Sequence, residues 1–252
     1  MSQVLRRIGL PLLGAALVLA LWWVGGALLA RSTPVAAAFA PWPSLQALGQ
    51  LLTGADIWMH TLLSLQRVAV GLLLAVVVGV PLGVLVGLSR GFSQAFSPVF
   101  QFLRMISPLS WMPIAVMVLG VGDAPVYFLL AFAAVWPILL STAAGVAQLD
   151  RNWLLLARSL SATRTETVLR VVLPGITAQI LTGVRLAIGI IWIVLVPAEM
   201  LGVSAGLGYF ILDTRDRLAY SELMAAVVLI GALGYALDHA ARWLHQRWMH
   251  SA

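Results

Sequence analysis

Residues 124–174 read APVYFLLAFAAVWPILLSTAAGVAQLDRNWLLLARSLSATRTETVLRVVLP, and this stretch decides the fold class. Its first part, Ala124 to Leu149, has no charged side chain and is longer than the roughly 18 residues that mark a candidate membrane span. Its second part, Asp150 to Pro174, mixes apolar residues with arginines, so we expect one or two short helices on the membrane surface. The stretch therefore indicates a membrane span that leads directly into a surface loop.

The loop has residues at helical spacing. Leu156, Leu160, Thr163 and Thr167 are expected to share one helical face, while arginines keep much of the remainder in water. Such a helix can dock into a groove of a partner protein, or it can rest on lipid headgroups with its arginines on phosphates. Both roles stay open at this point.

The composition excludes a water-soluble globule. Hydrophobic residues make up 62% of the 252 residues and charged residues only 10%, against roughly 45–50% and 25% in soluble domains. All 15 basic residues are arginines, and most flank apolar runs, so the net charge of +6 indicates anionic lipid headgroups rather than nucleic acid. Without cysteine, the chain has neither disulfides nor thiolate metal sites.

Uncharged runs predict six membrane spans in an all-α protein. The first is too long for the apolar region of a cleaved signal peptide, so we expect an uncleaved anchor. The predicted spans are Ile8–Ala30, Val68–Ser89, Met105–Gly122, Ala124–Leu149, about Gly175–Leu201 and about Glu222–Ala241.

Between the first two spans, Ser44 is expected to cap a surface helix that carries Leu45, Leu48 and Leu52. The stretch from Gly202 to Glu222 is expected to be a solvated loop. The predicted organisation is a first span in residues 1–30, a segment with a surface helix in 31–60, a core in 61–245 that includes the loop 150–174, and a tail in 246–252.

Arginine positions predict the orientation, because positive residues accumulate in short cytoplasmic segments. With both termini inside, nine arginines lie on the cytoplasmic side and three outside. The cytoplasmic set is Arg6, Arg7, Arg90, Arg151, Arg158, Arg164, Arg170, Arg242 and Arg247, and the outer set is Arg31, Arg215 and Arg217.

The loop resembles the signature of the permeases of importers of the ATP-binding cassette (ABC) type. That signature reads Glu-Ala-Ala, three residues, Gly, nine residues, Ile, any residue and Leu-Pro. Ala157, Leu173 and Pro174 match by letter, and Val171 replaces the isoleucine conservatively. In register, the loop supplies Leu155, Leu156, Ala157, Ser161, Val171, Leu173 and Pro174.

Three further segments resemble the nitrate, sulfonate, taurine and bicarbonate branch of these permeases. They are SLQRVAVGLLLAVVVGVPLGVLVGLS at 64–89, SPLSWMPIAVMVLGVG at 107–122 and TGVRLAIGIIWIVLVPAEML at 182–201. The resemblance implies a type I importer permease of the bacterial inner membrane, with a core of five helices and an additional N-terminal span.

The resemblance also implies partners and a function. The permease would form a homodimer, and the loop helix of each copy would bind one subunit of a cytoplasmic ATPase dimer. A periplasmic binding protein would deliver a small solute such as nitrate, a sulfonate or taurine. ATP and magnesium would bind to the ATPase, and the permease itself would bind no cofactor and catalyse no reaction.

Two departures from the signature bear on coupling. Leu155 stands where the family often has glutamate, and Ser161 replaces a glycine that permits a sharp turn. We expect Ser161 to serve only if its backbone avoids a left-handed conformation. Coupling would then depend on packing around Ala157 and Leu160.

Charges inside spans are candidate functional groups. Arg185 lies near the centre of the fifth predicted span, where it either contacts solute or is buried between helices. Glu199 is expected near the outer gate, and Arg67 and Arg104 are expected to snorkel from span ends. The candidate path on this helix comprises Thr182, Arg185, Gly189, Trp192, Val196 and Glu199.

The glycines Gly79, Gly83 and Gly87 recur every four residues, which favours close helix packing over nucleotide binding. Pro81, Pro108 and Pro113 predict kinks.

Two other functional classes compete with the importer. A secondary transporter driven by an ion gradient would suit Arg185 and Glu199, and it would need no ATPase. A membrane-embedded enzyme is disfavoured because the four histidines form no acid-rich cluster of the kind a metal needs. They are His60, His239, His245 and His250.

Overall fold

The computed structural model describes residues 2–249, and every regular element in that range is helical. His250 and the end of the predicted tail lie outside the described residues. The α-helices are α1 Ser2–Ser32, α2 Pro41–Thr53, α3 Ala55–Leu88, α4 Arg90–Met105, α5 Met112–Leu119, α6 Asp123–Gln148, α7 Arg151–Ser159, α8 Arg164–Thr167, α9 Leu173–Gly175, α10 Thr177–Gly202, α11 Leu207–Asp216 and α12 Tyr220–Met249. Short 3₁₀ turns cover Pro34–Phe39 and Pro108–Trp111, and a π turn covers Val168–Val172.

Five helices are long and apolar enough to cross a membrane, and they correspond to five of the six predicted spans. The sixth predicted span continues as helix to Met249. The five are Leu12–Ser32, Ala55–Leu88, Asp123–Gln148, Thr177–Gly202 and Tyr220–Trp243.

The predicted third span, Met105–Gly122, is not one continuous helix, and the kink predicted at Pro108 is present as a full break. Helix α4 ends at Met105, the chain resumes at Pro108, and the two limbs meet at an angle of 87°. Proline has no N–H to donate and restricts the residue before it, so Pro108 prevents α4 from continuing. The number of crossings is six only if α4 and the limb up to Leu119 count together as one. Helix α3, by contrast, continues through Pro81.

Helix α3 begins at Ala55, well before the predicted start at Val68. At 34 residues it is about 51 Å long. The predicted span began after Arg67 because only uncharged residues were assigned to spans. In the structure, Arg67 lies inside α3 and is only 3% exposed. Arg67 therefore does not snorkel from a span end as predicted.

The chain divides into two compact units. The first comprises Met1–His60 and Phe210–Gly231. In this unit, Trp22 Nε1 donates to the carbonyl of Phe39 at 2.9 Å, and Ser221 Oγ donates to the carbonyl of Ala38 at 3.0 Å. The ring of Phe39 lies 5.4 Å from that of Tyr220, centroid to centroid. These contacts hold the 3₁₀ turn in place.

The predicted surface helix of the first unit exists as α2, but its cap and its buried face differ from the prediction. The cap is Ala40, and Ser44 lies inside the helix, where its hydroxyl donates to the carbonyl of Ala40 at 2.8 Å. The buried residues are Pro41, Ser44 and Ala47, whereas Leu45 and Leu52 are exposed. Proline at the first helical position explains the earlier start, because its fixed φ and missing N–H suit that position.

The second unit comprises Thr61–Tyr209 and Ala232–Ala252. Its core lies between α6 and α10, where fully buried residues such as Leu130, Ile138, Ala187 and Ile191 pack together. Ala75 of α3 joins the same cluster. This paired core fixes the position of the functional segments at either end of α6 and α10.

The glycine repeat of α3 packs against α6, as the sequence predicted. A Cβ placed at Gly83 would lie 2.6 Å from the carbonyl oxygen of Leu139 and 2.6 Å from Cβ of Thr142. At Gly87 it would lie 2.5 Å from Cβ of Val146. The two helix backbones therefore approach as closely as only glycine allows.

We expect Gly83→Ala to destabilise the protein by about 1–3 kcal/mol, because α3 and α6 must separate to admit the methyl group. The matched control is Gly231→Ala in α12, where no atom lies within 4 Å of the added Cβ. Unfolding midpoints of the purified variants in one detergent provide the measurement. Equal midpoints for the two variants would contradict the close packing.

Candidate functional site

The loop 150–174 folds into short helical pieces, as predicted. Asp150 caps α7 by accepting the N–H of Asn152 at 2.9 Å. Helix α7 ends at Ser159, so the predicted common face of Leu156, Leu160, Thr163 and Thr167 does not exist. Thr163 instead caps the next helix, α8.

Ser161 forms the turn after α7 in a left-handed conformation with φ of 57°. The N–H of Ser161 donates to the carbonyl of Arg158, and the N–H of Ala162 donates to the carbonyl of Ala157, both at 3.0 Å. This pair of bonds is a Schellman motif, whose left-handed position usually holds glycine. The condition that Ser161 can serve only outside this conformation is therefore wrong for the turn itself: Ser161 adopts the left-handed conformation, and the motif satisfies carbonyls at the helix end that would otherwise lack donors.

Helix α8 begins with a capping box. The N–H of Glu166 donates to Oγ1 of Thr163 at 3.3 Å, and the N–H of Thr163 donates to Oε2 of Glu166 at 2.9 Å. The bond from the Thr163 backbone, followed by that from its hydroxyl, lowers the pKa of Glu166 below its ordinary value. At neutral pH, Glu166 is therefore charged, and its carboxylate accepts both bonds.

The predicted coupling residues in α7 and at its carboxyl end point in different directions. Ala157 is buried within its own chain at 6% exposure, whereas Leu160 is 73% exposed. Leu155 and Leu156 are also exposed, and so is Trp153, which the sequence analysis did not single out. The apolar surface open to a partner thus consists of Trp153, Leu155, Leu156 and Leu160. Ala157 serves the fold of the loop.

The end of the loop is anchored in the second unit. Val172 is fully buried and packs with Val84 of α3, Val146 of α6 and Ile176. Leu173 packs against this cluster, Val171 is half-buried, and Pro174 is exposed. Next to this cluster, a cavity of about 710 Å³ lies between α7 and α4. Its lining comes from the end of α3, the start of α4, the end of α6 and the start of α7. The loop is therefore fixed at its carboxyl end and loosely packed around α7.

We expect Ser161→Gly to stabilise the loop by about 1 kcal/mol, because a left-handed backbone costs a residue with a side chain about that much. Hydrogen exchange of residues 151–162 measures the effect, which should appear as slower exchange. The control is Ser159→Gly, which places glycine inside α7 and should speed exchange. Faster exchange in the Ser161 variant would show that the turn is not strained.

The residues predicted to line a path on α10 differ in their exposure, so only some of them can share one accessible face of the helix. Thr182 and Gly189 are exposed, and Arg185, Trp192 and Val196 are half-buried. No hydrogen-bond or ion-pair partner of Arg185 is present among residues 2–249. Glu199 does not belong to this face, because it is completely buried.

Glu199 instead forms an ion pair with Arg67, which is also buried, and Arg67 in turn pairs with the exposed carboxylate of Asp123. Arg67 Nη1 lies 2.6 Å from Oε1 of Glu199, and Arg67 Nη2 lies 2.7 Å from Oδ1 of Asp123. Ser64 Oγ donates to the carboxylate of Glu199 and lies 2.8 and 2.9 Å from its two oxygens. This charge cluster joins the first half of α3 to the start of α6 and the last turn of α10, at the ends of α6 and α10 opposite the loop 150–174.

The segment after α10 completes the cluster. The N–H of Gly208 donates to Oε2 of Glu199 at 2.9 Å, and the carbonyl of Ala205 accepts from Arg67 Nη1 at 2.6 Å. A Cβ placed at Gly206, whose φ is +121°, would lie 2.6 Å from Oε1 of Glu199. Glycine is therefore required there, both for the backbone and for the space. The stretch predicted as a solvated loop contains helix α11 and a wall of this buried site.

Residues 79–250, more than half of the chain, match the family described as "Binding-protein-dependent transport system inner membrane component". The chain belongs to this family. This permease chain is thus a multi-pass inner-membrane subunit of an ABC importer and not an enzyme. The family therefore disfavours the secondary transporter and the membrane enzyme.

Permeases whose names state the transported solute are similar to this chain, which agrees with its membership of the family. The bicarbonate transport permease CmpB of Synechococcus elongatus is 37% identical over 195 residues, which cover 77% of this chain and 69% of CmpB. The nitrate import permease NrtB of the same species is 32% identical and covers 76% and 70%. The taurine permease TauC of Escherichia coli is 30% identical over 250 residues and covers 96% and 89%.

A solved structure shows the same fold. The inward-facing MetNI methionine ABC transporter superposes with a TM-score of 0.60 at 18% identity, over 79% of this permease and 96% of the matched chain. The type I importer fold predicted for the permease is therefore confirmed. Within residues 2–249, no group of three histidine, cysteine or acidic side chains is arranged to hold a metal. His60 is buried against Phe210, with ring centroids 5.5 Å apart.

Sequence reasoning missed the charge cluster because it treated each ionisable residue separately. A usable signal was present: Arg67, Asp123 and Glu199 each border or interrupt an apolar run, and opposite charges in a membrane pair with one another. Their pairing required the helix directions and the inclusion of residues 55–67 in the second span.

We expect Arg67→Met to destabilise this permease by about 3–5 kcal/mol, because it leaves the buried carboxylate of Glu199 without a counter-charge. The double variant Arg67→Met/Glu199→Gln should be more stable than Arg67→Met alone, with a coupling energy of about 0.5–3 kcal/mol. Unfolding in detergent of the wild type, both single variants and the double variant measures this coupling. Additive losses would mean that the pair does not interact.

Proposed function

We propose that this permease works as a homodimer that imports a small solute bearing an oxyanion group. A cytoplasmic ATPase dimer that binds ATP and magnesium drives it, and a periplasmic binding protein supplies the solute. The observation that carries the proposal is the structure of the loop 150–174. Its helix α7 presents an exposed apolar face, while Val172 in the same loop is buried in the transmembrane core.

This arrangement suits the transmission of force. An ATPase subunit that binds Leu156 and Leu160 would move α7, and the loop would pass that movement to Val84 and Val146 through Val172. The cavity beside α7 leaves room for such a shift. Because packed interiors change between discrete arrangements rather than deform continuously, a small shift at Val172 can become a movement of whole helices.

The orientation follows from the arginines. The positive-inside rule places the loop 150–174 and both termini in the cytoplasm. The Arg67–Glu199 cluster then lies near the periplasmic side, because it occupies the opposite end of α6 and α10. In that position, the cluster would stabilise the outer part of each permease subunit while the inner part moves.

The chemistry of the relatives' cargo supports an oxyanion. Bicarbonate, nitrate and the sulfonate of taurine each present several oxygens that accept hydrogen bonds. Arg185 lies about a third of the way along α10 and has no partner among residues 2–249. An unpaired guanidinium at membrane depth attracts anions, so we place Arg185 beside the solute path.

We expect a single cysteine at Leu160 to crosslink to the co-expressed ATPase, because 73% of this side chain is exposed. The control is a cysteine at Leu45, which is also an exposed leucine but lies on α2. Gel analysis after addition of a short bifunctional crosslinker gives the result. ATP-driven uptake without any crosslink from α7 would contradict the proposed coupling.

A further inference from the structure

The 87° bend between α4 and the limb that follows it opens a cavity of about 400 Å³. Its wall includes Pro137 of α6 and Ile190 of α10. Pro137 lies about 21 Å from the start of α6, and Ile190 about 20 Å from the start of α10. Since each of these helices is about 39 Å long, the cavity lies at mid-depth in the second unit.

The polar groups of this cavity are donors. Among the described residues that line it, Arg104 is the single charged side chain, Ser141 supplies a hydroxyl, and none carries a carboxylate. A second cavity of about 160 Å³ shares Arg104 and Trp136 with the first and adds Ser97 and Gln101. The site therefore has a positive charge and hydrogen-bond donors without a fixed counter-charge.

Two of these donors lack partners in the part of the chain that the structure describes. Trp136 is only 8% exposed, and its buried Nε1 has no acceptor among the described residues. Arg104 likewise has no hydrogen-bond or ion-pair partner between residues 2 and 249. A buried donor without an acceptor is costly, and this cost at Trp136 would fall if an anion in the cavity accepted its N–H. Arg104 is exposed and borders the cavity, so its charge is accessible to such an anion.

The break in the helix between Met105 and Pro108 also favours a solute site at this cavity. Non-helical backbone at membrane depth is tolerated where it is covered by protein or lines a water-filled cavity. Solute sites of membrane transporters often form where a discontinuous helix interrupts the bundle near the midplane. Ile106 and Pro108, at the break itself, belong to the lining of this cavity.

We propose that this cavity binds the oxyanion group of the solute, with Arg104 as its cationic anchor. The guanidinium fork of Arg104 holds two oxygens, and Trp136 Nε1 and the Ser141 hydroxyl donate to the others. Arg185 is not part of the lining, although its neighbour Leu186 is. Arg185 thus contributes positive potential near the path rather than direct contact. This inference rests on the proposed function and adds the location and the residues.

A lipid phosphate has the same chemistry as a soluble oxyanion. Headgroup phosphates lie at the membrane surfaces, about 15 Å or more from the midplane, so the depth of the cavity favours the soluble anion. Measurements in a detergent free of phospholipid distinguish the two sources. Binding of nitrate that appears only when phospholipid is present would overturn the assignment to solute.

The test uses the purified full-length chain and titrates nitrate or methanesulfonate at constant ionic strength, with chloride as the balancing anion. A ligand that binds the folded state raises the unfolding midpoint in a saturable way. We expect saturation for the wild type and a loss of affinity of at least about tenfold in Arg104→Gln, because a charge-assisted hydrogen bond is lost. Trp136→Phe should weaken binding by a smaller factor.

Two controls separate binding from folding. Arg31→Gln removes the same charge from the exposed end of α1 and should leave the titration unchanged. Arg104→Lys retains the charge but loses the fork, so its affinity should lie between those of the wild type and Arg104→Gln. A wild type without any saturable response, or an undiminished response in Arg104→Gln, would overturn the inference.

The outcome is separable from that of the proposed function. If Leu160 crosslinks to the ATPase and ATP drives uptake while nitrate and methanesulfonate have no effect on the unfolding midpoint, the cavity assignment fails alone. If Arg104 governs anion binding but uptake proceeds without an ATPase, the coupling proposal fails and the cavity assignment stands.

Discussion

The pairing of Arg67 with Glu199 in the membrane-spanning core is the constraint on which the second unit depends. Removing two charges from water costs several kcal/mol for each ion, and only good geometry and further hydrogen bonds compensate for that cost. Here the compensation comes from Asp123, Ser64, Gly208 and the carbonyl of Ala205. Because these groups belong to α3, α6, α10 and the segment after α10, the cluster fixes the position of one helix end relative to the others.

The opposite end of the same helices is held differently. There the contacts are apolar, around Val172, and α7 next to them is bordered by a large cavity. Apolar contacts have no preferred direction, whereas a buried ion pair does. One end of the unit is thus geometrically fixed, and the other can repack. That asymmetry is suited to the proposed drive through the loop 150–174, and the packed core of α6 and α10 connects the two ends.

Much of the fold could be predicted from residue patterns. The uncharged run Ala124–Leu149 corresponds to α6, and the basic loop forms short helices. The repeat of Gly83 and Gly87 makes a close helix contact. These features depend on local composition, since a run of apolar residues has to satisfy its backbone as a helix in lipid. The predictions failed where one residue's environment came from distant segments. Arg67 was assigned to a span end, Ser44 to a cap, and Met105–Gly122 to a single kinked span rather than to the end of α4 and a separate segment after an 87° break.

The sequence by itself determined the membrane class, the helical spans, the position of the basic loop and the family, because hydropathy and motif spacing are properties of neighbouring residues. Only the tertiary structure decided that Glu199 is a buried partner of Arg67 rather than part of a path, that Ala157 faces inward, and that Arg104 and Trp136 border the same cavity. Each of these depends on which helix faces lie opposite one another. That arrangement is set by packing between residues far apart in the sequence, such as Arg67 and Glu199 at 132 positions, which no local pattern encodes.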